Sequence, residues 1–319
     1  MKRNNKRPIS LGNGISLIDG YDLDVESRTG IYVLEEEELT IIETGPSPSV
    51  PYIKEGIEGL GHDLTGVKYI ILTHIHLDHG GGAGRLLQLC PNATVIVHPK
   101  GKRHLIDPKK LAAGARAIYG ESFSDLFDPI IPVPEDRIII KTEGDSLTIG
   151  PARKLEFWDT PGHSRHHLGI YDPVSNGMFI GDTAGIRYEQ LVPHGIDYFL
   201  PSTSPNHFDP VAMRASIERM RKKDLDYIYF GHFGATELVN QTFNQVLFWL
   251  DIFVEEGERA VAEEKGYDAI AKGLLEKVQA DLQDKGIPDD HKVYTIINLD
   301  LQVSALGIID YLQKQLREK

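Results

Sequence analysis

Four side chains that commonly bind metal ions occur within six consecutive positions of this sequence, directly after an apolar run. The run extends from Val67 to Leu72, and the ligand-type residues follow it in the segment 73–79, THIHLDH. The apolar run predicts a buried β-strand, and the glycines at 80–82 predict the start of a helix that continues to Leu89. Loops between a strand and a helix expose side chains on a rigid support. Imidazole and carboxylate groups in such a loop predict a site for zinc, iron or manganese rather than a group of surface histidines.

Three further candidate ligands lie beside a glycine at the end of a strand-like segment. Glycine allows the chain to turn sharply at such points, so that side chains from different strands are able to converge. Taken singly, each of the three is an ordinary turn residue or helix cap. As a set, they supply the ligands that the first loop lacks. They are His163 after the run 154–158, Asp182 after the run 178–181, and His232 after the run 227–231.

The ordered set resembles the ligand pattern of the metallo-β-lactamase superfamily. Dinuclear members of that superfamily carry His-x-His-x-Asp-His, a later histidine, an aspartate that bridges the metals and a final histidine. The resemblance extends over residues 9–235. It implies an α/β fold, the four-layer αβ/βα sandwich, here with a C-terminal helical extension. It also implies two divalent metal ions per chain, with Zn²⁺ first and iron or manganese as alternatives. The implied division gives one ion His74, His76 and His163, the other ion Asp78, His79 and His232, and both ions the bridging Asp182.

A dinuclear centre of this kind implies hydrolysis by a hydroxide that bridges the two metals. Two divalent cations and two aspartates leave a net charge of about plus two, which favours removal of a proton from a shared water. Metal coordination lowers the pKa of water from about 15.7 to about 7. The same cations polarise a carbonyl or phosphoryl oxygen and stabilise the anion that forms on attack. Asp78 would both bind metal and carry the proton, so we predict that it is catalytic.

One position departs from the familiar pattern of the superfamily. The strand-like segment 39–42 is followed by Glu43, where many members have aspartate. By resemblance, Glu43 would accept a hydrogen bond from a metal-bound histidine and orient its ring, a role whose loss lowers metal affinity. The alternative interpretation is a glutamate at a strand end in solvent.

A change in sequence pattern divides the chain near residue 235. Strand-like and helix-like segments alternate from Ile9 to Phe233, whereas the remainder has helical spacing that is broken at Gly266 and at 286–288. We therefore predict a catalytic domain at 1–235 and a helical extension at 236–319 that packs on it. Apolar stripes at 243–254 and 299–316 predict packing surfaces. A membrane anchor is not expected, because no run of about 20 uncharged apolar residues is apparent.

Candidate substrate contacts follow the bridging aspartate. Tyr188, Tyr198 and His207 lie in the stretch where lactonase-like and thioesterase-like members line the pocket, and a tyrosine hydroxyl there is able to hydrogen-bond an oxyanion. The lactonase pattern has tyrosine three residues after the bridging aspartate, where this chain has Gly185, which disfavours a quorum-signal lactonase. The remaining histidines of interest are predicted to lie behind the metal ligands or on the surface. They are His98, His104, His166 and His167.

Charge and cysteine content restrict the partners and the compartment. The chain has 34 basic and 47 acidic residues, a net charge of −13, which disfavours a nucleic-acid substrate because nucleases need a basic track for phosphates. We predict a small-molecule substrate, no nucleic-acid partner and no membrane association, and leave a homo-oligomer open. A single cysteine, Cys90, excludes an internal disulfide, and no apolar segment follows the basic start as in a signal peptide. Both features suit a cytoplasmic protein.

The sequence therefore predicts a metal-dependent hydrolase that cleaves a thioester, ester or lactone bond of a small metabolite. Among members of the superfamily it is most similar to the hydroxyacylglutathione hydrolase (glyoxalase II) and lactonase branches. Two alternatives use the same ligand types: a mononuclear-iron oxygenase resembling the persulfide dioxygenases, and a phosphodiesterase of the same fold. A binding module that has lost its metals is disfavoured, because all seven ligand positions are filled.

Overall fold

A computed structural model describes residues 7–318 of the chain. These residues form two compact units, and the chain passes between the units several times. Unit 1 comprises the described residues up to Asp159 together with His166–Gly181 and Leu225–Glu237. Unit 2 comprises Thr160–Arg165, Asp182–Asp224 and the described residues from Leu238 onward.

The first sheet of unit 1 has seven strands, which are neighbours in the same order as in the chain. The first four pair antiparallel and the last four pair parallel. The strand predicted at 67–72 is the fifth, and its two neighbours place its carboxyl end inside the sheet rather than at an edge. The strands are β1 (Ile9–Gly12), β2 (Ile15–Asp19), β3 (Gly30–Leu34), β4 (Thr40–Ile42), β5 (Tyr69–Ile71), β6 (Thr94–Val97) and β7 (Ile138–Ile140).

The second sheet of unit 1 has six strands, and it includes the three strand-like segments that precede the later candidate ligands. Its strand order is β15-β14-β11-β10-β9-β8, in which β11 and β14 pair parallel and the other neighbours antiparallel. The strands are β8 (Ser146–Thr148), β9 (Lys154–Asp159), β10 (Leu168–Asp172), β11 (Gly177–Phe179), β14 (Tyr227–Tyr229) and β15 (Ala235–Thr236).

Two large apolar clusters form most of the core of unit 1. One contains side chains of both sheets, among them Tyr32 and Phe157, so the sheets pack face to face. The other joins the first sheet to helices through residues such as Ile53 and Leu86. Burial of each such side chain stabilises the fold by about 1.5 to 3 kcal/mol. The helices of unit 1 are α1 (Val50–Gly59), α2 (Leu77–Gly80), α3 (Ala83–Leu89), α4 (Pro99–Ile106), α5 (Lys109–Tyr119) and α6 (Phe123–Phe127).

Unit 2 is mainly helical, as the sequence predicts for the tail. Asp209 caps one helix: it accepts hydrogen bonds from the backbone N–H groups of Val211 and Ala212, each at 3.0 Å, and Pro210 occupies the first helical position. The breaks expected near residues 266 and 286–288 separate the last three helices. The elements are a two-stranded ribbon, β12 (Ile186–Arg187) and β13 (Phe199–Leu200), and the helices α7 (Pro210–Arg221), α8 (Val239–Ala262), α9 (Tyr267–Asp284) and α10 (Val293–Glu318).

The two predicted apolar stripes of the tail have different outcomes. Phe243, Val246, Leu247 and Leu250 of α8 are all buried, as predicted. The stripe predicted for α10 is confirmed only in part, because Leu299, Val303, Leu306, Ile309 and Leu312 are half-buried and Leu316 is 58% exposed. The face of α10 that is buried instead lies beside the predicted one. It contains Ile297, Leu301, Ala305 and Ile308.

Helix α10 also corrects the expectation that no segment has the length and composition of a membrane span. An 18-residue stretch within Val293–Arg317 reaches a mean hydropathy of 1.2, which meets that requirement by length and composition alone. Half of this apolar stretch is buried within the protein. Such burial is typical of a core helix.

Candidate metal centre

The loop that follows β5 holds the first four candidate ligands in two different environments. His74 and His79 are completely buried, whereas His76 and Asp78 are partly exposed. Asp78 and His79 lie on the short helix α2, whose first turn is closed by a 3.0 Å hydrogen bond from the backbone N–H of His79 to the carbonyl of His76. Because β5 lies between two parallel neighbours, the loop begins at a fixed point of the sheet.

His232 joins Asp78 and His79 in one group within unit 1. The Nε2 atom of His232 lies 3.6 Å from Oδ2 of Asp78, and Nε2 of His79 lies 3.7 Å from the same oxygen. The other ring nitrogen of His232, Nδ1, lies 3.3 Å from the carbonyl oxygen of Arg28. A carbonyl only accepts hydrogen bonds, so Nδ1 carries the proton and the Nε2 lone pair is directed toward Asp78. This tautomer is the one that a metal-binding Nε2 requires.

The loop that carries His232 is fixed by the first sheet. It turns at Phe233, which has a φ of 62°, and at Gly234, with a φ of 86°. The hydroxyl of Tyr32 on β3 lies 2.6 Å from the carbonyl oxygen of Phe230 and 2.7 Å from that of Gly234. Residues on both sides of His232 are therefore tied to a buried tyrosine.

Glu43 is buried behind the histidines rather than in solvent, with 1% of its surface exposed. Its Oε1 atom accepts a short hydrogen bond from the hydroxyl of Thr73 and lies 3.7 Å from Nδ1 of His79. The Thr73 hydroxyl lies 3.0 Å from Nδ1 of His74. A carboxylate accepts, so Thr73 donates to Glu43 and receives the N–H of His74, which leaves Nε2 of His74 available to a metal. One carboxylate thus faces the Nδ1 side of two candidate ligands.

Two further histidines lie closer to the candidate ligands than the sequence indicates. His166 and His167 are buried, at 4% and 1% exposure. The ring of His167 lies 5.0 Å from that of His74, and the ring of His166 lies 5.6 Å from that of His76, measured between centroids. In the sequence, the only indication of this position was that His166 and His167 follow the candidate ligand His163 by three and four residues. Neither is a surface residue. Of the two alternatives predicted for them, the position behind the candidate ligands agrees with the structure.

Unit 2 contains the other two predicted ligands, and it brings them together. Nε2 of His163 lies 3.7 Å from Oδ2 of Asp182, and both side chains are buried. The Ser202 hydroxyl donates to the same carboxylate oxygen at 2.9 Å, while the Ser202 carbonyl lies 3.1 Å from Nδ1 of His163. His163 therefore carries its proton on Nδ1 and directs Nε2 toward Asp182. Ser202 orients both residues, and nothing in the sequence pattern singles it out.

The predicted substrate contacts all lie in unit 2, where the two tyrosines have polar neighbours of their own. The hydroxyl of Tyr188 donates to Oδ2 of Asp300 at 3.0 Å, and Tyr188 is 2% exposed. Tyr198 is fully buried, and burial followed by the nearby carboxylate of Asp281 raises the pKa of its hydroxyl far above the usual range. His207 is half-buried. The roles of these three residues toward a substrate stay predictions.

The remaining predicted histidines have local roles in unit 1. His98 is buried, and its Nδ1 accepts the backbone N–H of Lys100 at 3.1 Å, which caps helix α4. The half-buried His104 accepts a hydrogen bond from the Arg103 side chain at 3.1 Å. Cys90 is buried, and it lies one residue beyond the end of α3.

The donor set of unit 1 fits a divalent transition metal. Candidate ligand atoms of Asp78, His79 and His232 lie within 4.8 Å of one another, and the same holds for Glu43, His74 and His79. Imidazole nitrogen and carboxylate oxygen are the ligands that zinc, iron and manganese accept in proteins. Burying several such groups together is costly unless they are paired or coordinate a metal.

Comparison with known proteins decides the family. The sequence model of the metallo-β-lactamase superfamily matches residues 26–232. The chain belongs to this superfamily. Its members are metal-dependent hydrolases, and the chain is an enzyme of that class. The match includes all seven predicted ligand positions and Glu43.

Two individual relatives support this assignment, one over most of its length and one over about half of its length. A metallo-β-lactamase fold-containing protein of Sulfurisphaera tokodaii is 27% identical over 272 residues, which cover 82% of this chain and 97% of that protein. The N-acyl homoserine lactonase AttM of Rhizobium radiobacter is 41% identical over 149 residues, or 46% of this chain and 52% of the lactonase.

A solved structure supports the fold. A metallo-β-lactamase family protein from Thermus thermophilus superposes with a TM-score of 0.67 at 18% identity, covering 96% of this chain and 95% of that one. At this identity the likeness shows the fold alone. It confirms the predicted α/β sandwich of two sheets and helices with a C-terminal helical region.

Proposed function

We propose that this protein is a dinuclear metal-dependent hydrolase that cleaves an acyl bond, in a thioester, ester or lactone, of a small metabolite. The observation that carries the proposal is the pairing of a carboxylate with histidine Nε2 atoms in each unit. Asp78 faces His79 and His232 in unit 1, and Asp182 faces His163 in unit 2. A lone carboxylate with histidines would serve one metal, whereas two such groups in one chain favour two.

The proposed ligand assignment follows the order of the family motif. His74, His76 and His163 would hold one ion, and Asp78, His79 and His232 the other, with Asp182 between them. Zinc is the first choice of metal, and iron or manganese suit the same donors. Bound metals would supply Lewis acidity and a coordinated water of lowered pKa. Asp78, whose side chain is 28% exposed, takes the proton of the attacking water and delivers it to the leaving group.

Several features support an acyl substrate. The local identity to the lactonase AttM reaches 41% over 149 residues, which favours an acyl substrate over a phosphodiester. Gly185, three residues after Asp182, removes the tyrosine that the lactonase pattern predicts there, so we favour a thioester or a simple ester over a quorum-signal lactone. The net charge of −13 argues against a nucleic-acid substrate. The single cysteine, which is buried, suits the cytoplasm.

Metal content is the first test of this proposal. Protein purified without chelator should contain two divalent ions per chain by elemental analysis, and Asp182→Asn should lower this number. The matched control is Asp284→Asn, which removes an exposed carboxylate from the end of α9 in the same unit. One iron per chain, with oxygen consumed in the presence of a persulfide, would replace the hydrolase by the oxygenase.

A substrate panel is the second test. It contains an S-acylglutathione thioester, a p-nitrophenyl ester, an acyl homoserine lactone and a bis-p-nitrophenyl phosphodiester. We expect turnover of an acyl substrate that Asp182→Asn abolishes and Asp284→Asn leaves intact. Turnover of the phosphodiester alone would assign the chain to the phosphodiesterase group instead.

A further inference from the structure

One face of helices α8 and α9 in unit 2 carries a groove that the proposed reaction does not use. The groove has a volume of about 510 Å³ and lies between the two helices. Trp249 lies in the groove with 3% of its surface exposed, whereas Phe248 at the rim is 61% exposed. The two rings meet edge to face, with 5.8 Å between their centroids. An exposed phenylalanine therefore stands directly beside a recess with an aromatic wall.

This exposed aromatic is not explained by the packing of unit 2. The face of α8 that packs in the protein contains Phe243, Val246, Leu247 and Leu250, all buried. Phe248 lies on a different face of the helix. A large apolar side chain in water beside a groove with an apolar floor (Trp249, Ile252 and Ala280) and charged edges is typical of a surface that associates with another macromolecule.

The charges around the groove are of both signs. Helix α8 contributes Glu255, Glu256 and Arg259, and helix α9 contributes Lys277 and Asp281. Arg259 and Lys277 both lie near the buried carboxylate of Glu256, and their side chains remain 58% and 50% exposed. The chain as a whole has a net charge of −13, so most surfaces of two copies repel each other. The groove is close to neutral, with three acidic and two basic lining residues, so it carries little of that excess of negative charge.

We propose that this groove is the interface of a two-fold symmetric dimer, with a second copy of this chain as its occupant. A two-fold interface places one patch against itself, so the patch must contain both a projecting group and a recess, and charges of both signs. The groove meets both conditions. Phe248 supplies the projecting group at one end of the groove, and the opposite end of the groove, which contains Arg259, receives it.

The spacing along α8 gives this arrangement a definite geometry. Phe248, Ile252, Glu255 and Arg259 follow one another at intervals of four, three and four residues, so they form one stripe of the helix. Phe248 and Arg259 are about 16 Å apart along the axis. When two α8 helices pack antiparallel about an axis between them, Phe248 of each copy lies over the Arg259 guanidinium of the other. This contact is a cation–π pair that a neutral or acidic residue at position 259 would lose.

The dimer is tested by sedimentation velocity of the metal-loaded full chain over a wide range of protein concentration. We expect a reversible monomer–dimer equilibrium for the native protein. Phe248→Glu should raise the dimer dissociation constant at least about 30-fold, because buried aromatic residues at interface centres dominate binding. Arg259→Glu should weaken the dimer in the same direction. Val211→Glu is the matched control, since Val211 on α7 is 72% exposed and does not line the groove.

Four outcomes would overturn the proposal. The first is a native protein that is monomeric at every concentration. The second is a dimer that Phe248→Glu leaves unchanged, and the third is a dimer that Val211→Glu weakens as much as Phe248→Glu does. A monomer that binds an apolar dye in a Phe248-dependent manner would assign the groove to a small ligand instead. Metal content and circular dichroism of each variant show that the fold is kept. The dimer does not depend on the proposed function, because none of these residues is a predicted metal ligand.

Discussion

The carboxylate of Glu43 and the hydroxyl of Thr73 form a short, buried hydrogen bond, and through it one acidic group acts on two histidines. Thr73 continues the contact to His74, and the same carboxylate oxygen faces His79. Glu43 has a φ of 69°, a left-handed backbone conformation that costs a non-glycine residue about 1 kcal/mol or more. The surrounding structure therefore keeps Glu43 in a backbone conformation that is unfavourable by itself. Such strain is typical of residues that position a functional group.

Replacing Glu43 with glutamine tests this role. Glu43→Gln keeps the size of the side chain but removes the charge that Thr73 and His79 face, so we expect metal affinity to fall about 10- to 100-fold. Competition with a chelator of known affinity measures the change. Glu37→Gln removes an exposed carboxylate of the same unit and should leave metal affinity unchanged. Equal affinity in both variants would show that Glu43 does not support the histidines.

Gly181 is expected to tolerate no side chain. Its φ is 47°, and a Cβ atom there would lie 2.4 Å from Nε2 of His167 and 2.5 Å from the hydroxyl oxygen of Thr73. Gly181→Ala should lower the free energy of unfolding of the metal-free protein by about 2 to 3 kcal/mol, measured by urea denaturation. Gly66→Ala should change it by less than about 1 kcal/mol, because no heavy atom lies within 4 Å of a Cβ at that position. Similar stabilities of the two variants would contradict the close approach.

The sequence was most informative where strands end. The apolar run before THIHLDH predicted β5, and a parallel strand between two neighbours has its loop at a fixed place, so the position of four candidate ligands was predictable from one segment. The same reasoning predicted the strands before His163 and His232. The hydrogen bonds from Thr73 and Ser202 were not predictable, since a threonine or serine has no periodic signal and its role depends on which loop packs against it.

The tail shows a second limit of sequence reasoning. Helix α10 is apolar on more than one face, so its periodicity did not distinguish the buried Leu301 and Ile308 from the half-buried Val303 and Ile309. Helix α8 has a more one-sided pattern, and its buried face was predicted correctly. Hydrophobic spacing thus predicts the contact face of a helix only where the opposite face is polar.

Cys90 should serve as a probe of unfolding. Burial raises the pKa of its thiol to about 12, although the nearby Arg137 opposes the shift. The thiolate is the reactive form, so the native protein should not react with a thiol-specific disulfide reagent at neutral pH. We expect labelling to begin only at urea concentrations that unfold the chain, and Cys90→Ala to show none at any concentration. Rapid labelling of the folded protein would mean that this region opens locally.

The pair His194 and His291 is expected to make the stability of unit 2 sensitive to acid. Their Nε2 atoms lie 3.1 Å apart, and Nδ1 of His291 accepts the backbone N–H of Val293 at 3.2 Å. His291 therefore carries its proton on Nε2 and donates it to His194, an arrangement that needs both rings neutral. Burial and then His194 lower the pKa of His291 from 6.5, while Asp290 opposes them.

Because the folded state favours neutral His291, the pair stabilises the protein above pH 6.5, the unshifted pKa of the imidazole, and the contribution is lost as the pH falls through the lowered value. We expect the melting temperature of the native protein to exceed that of His291→Gln at about pH 8, and the difference to shrink toward about pH 5. Thermal scans at both pH values measure it, with Lys292→Gln as an exposed neighbour that carries no imidazole. A difference that stays constant with pH would show that the imidazole pair contributes packing alone.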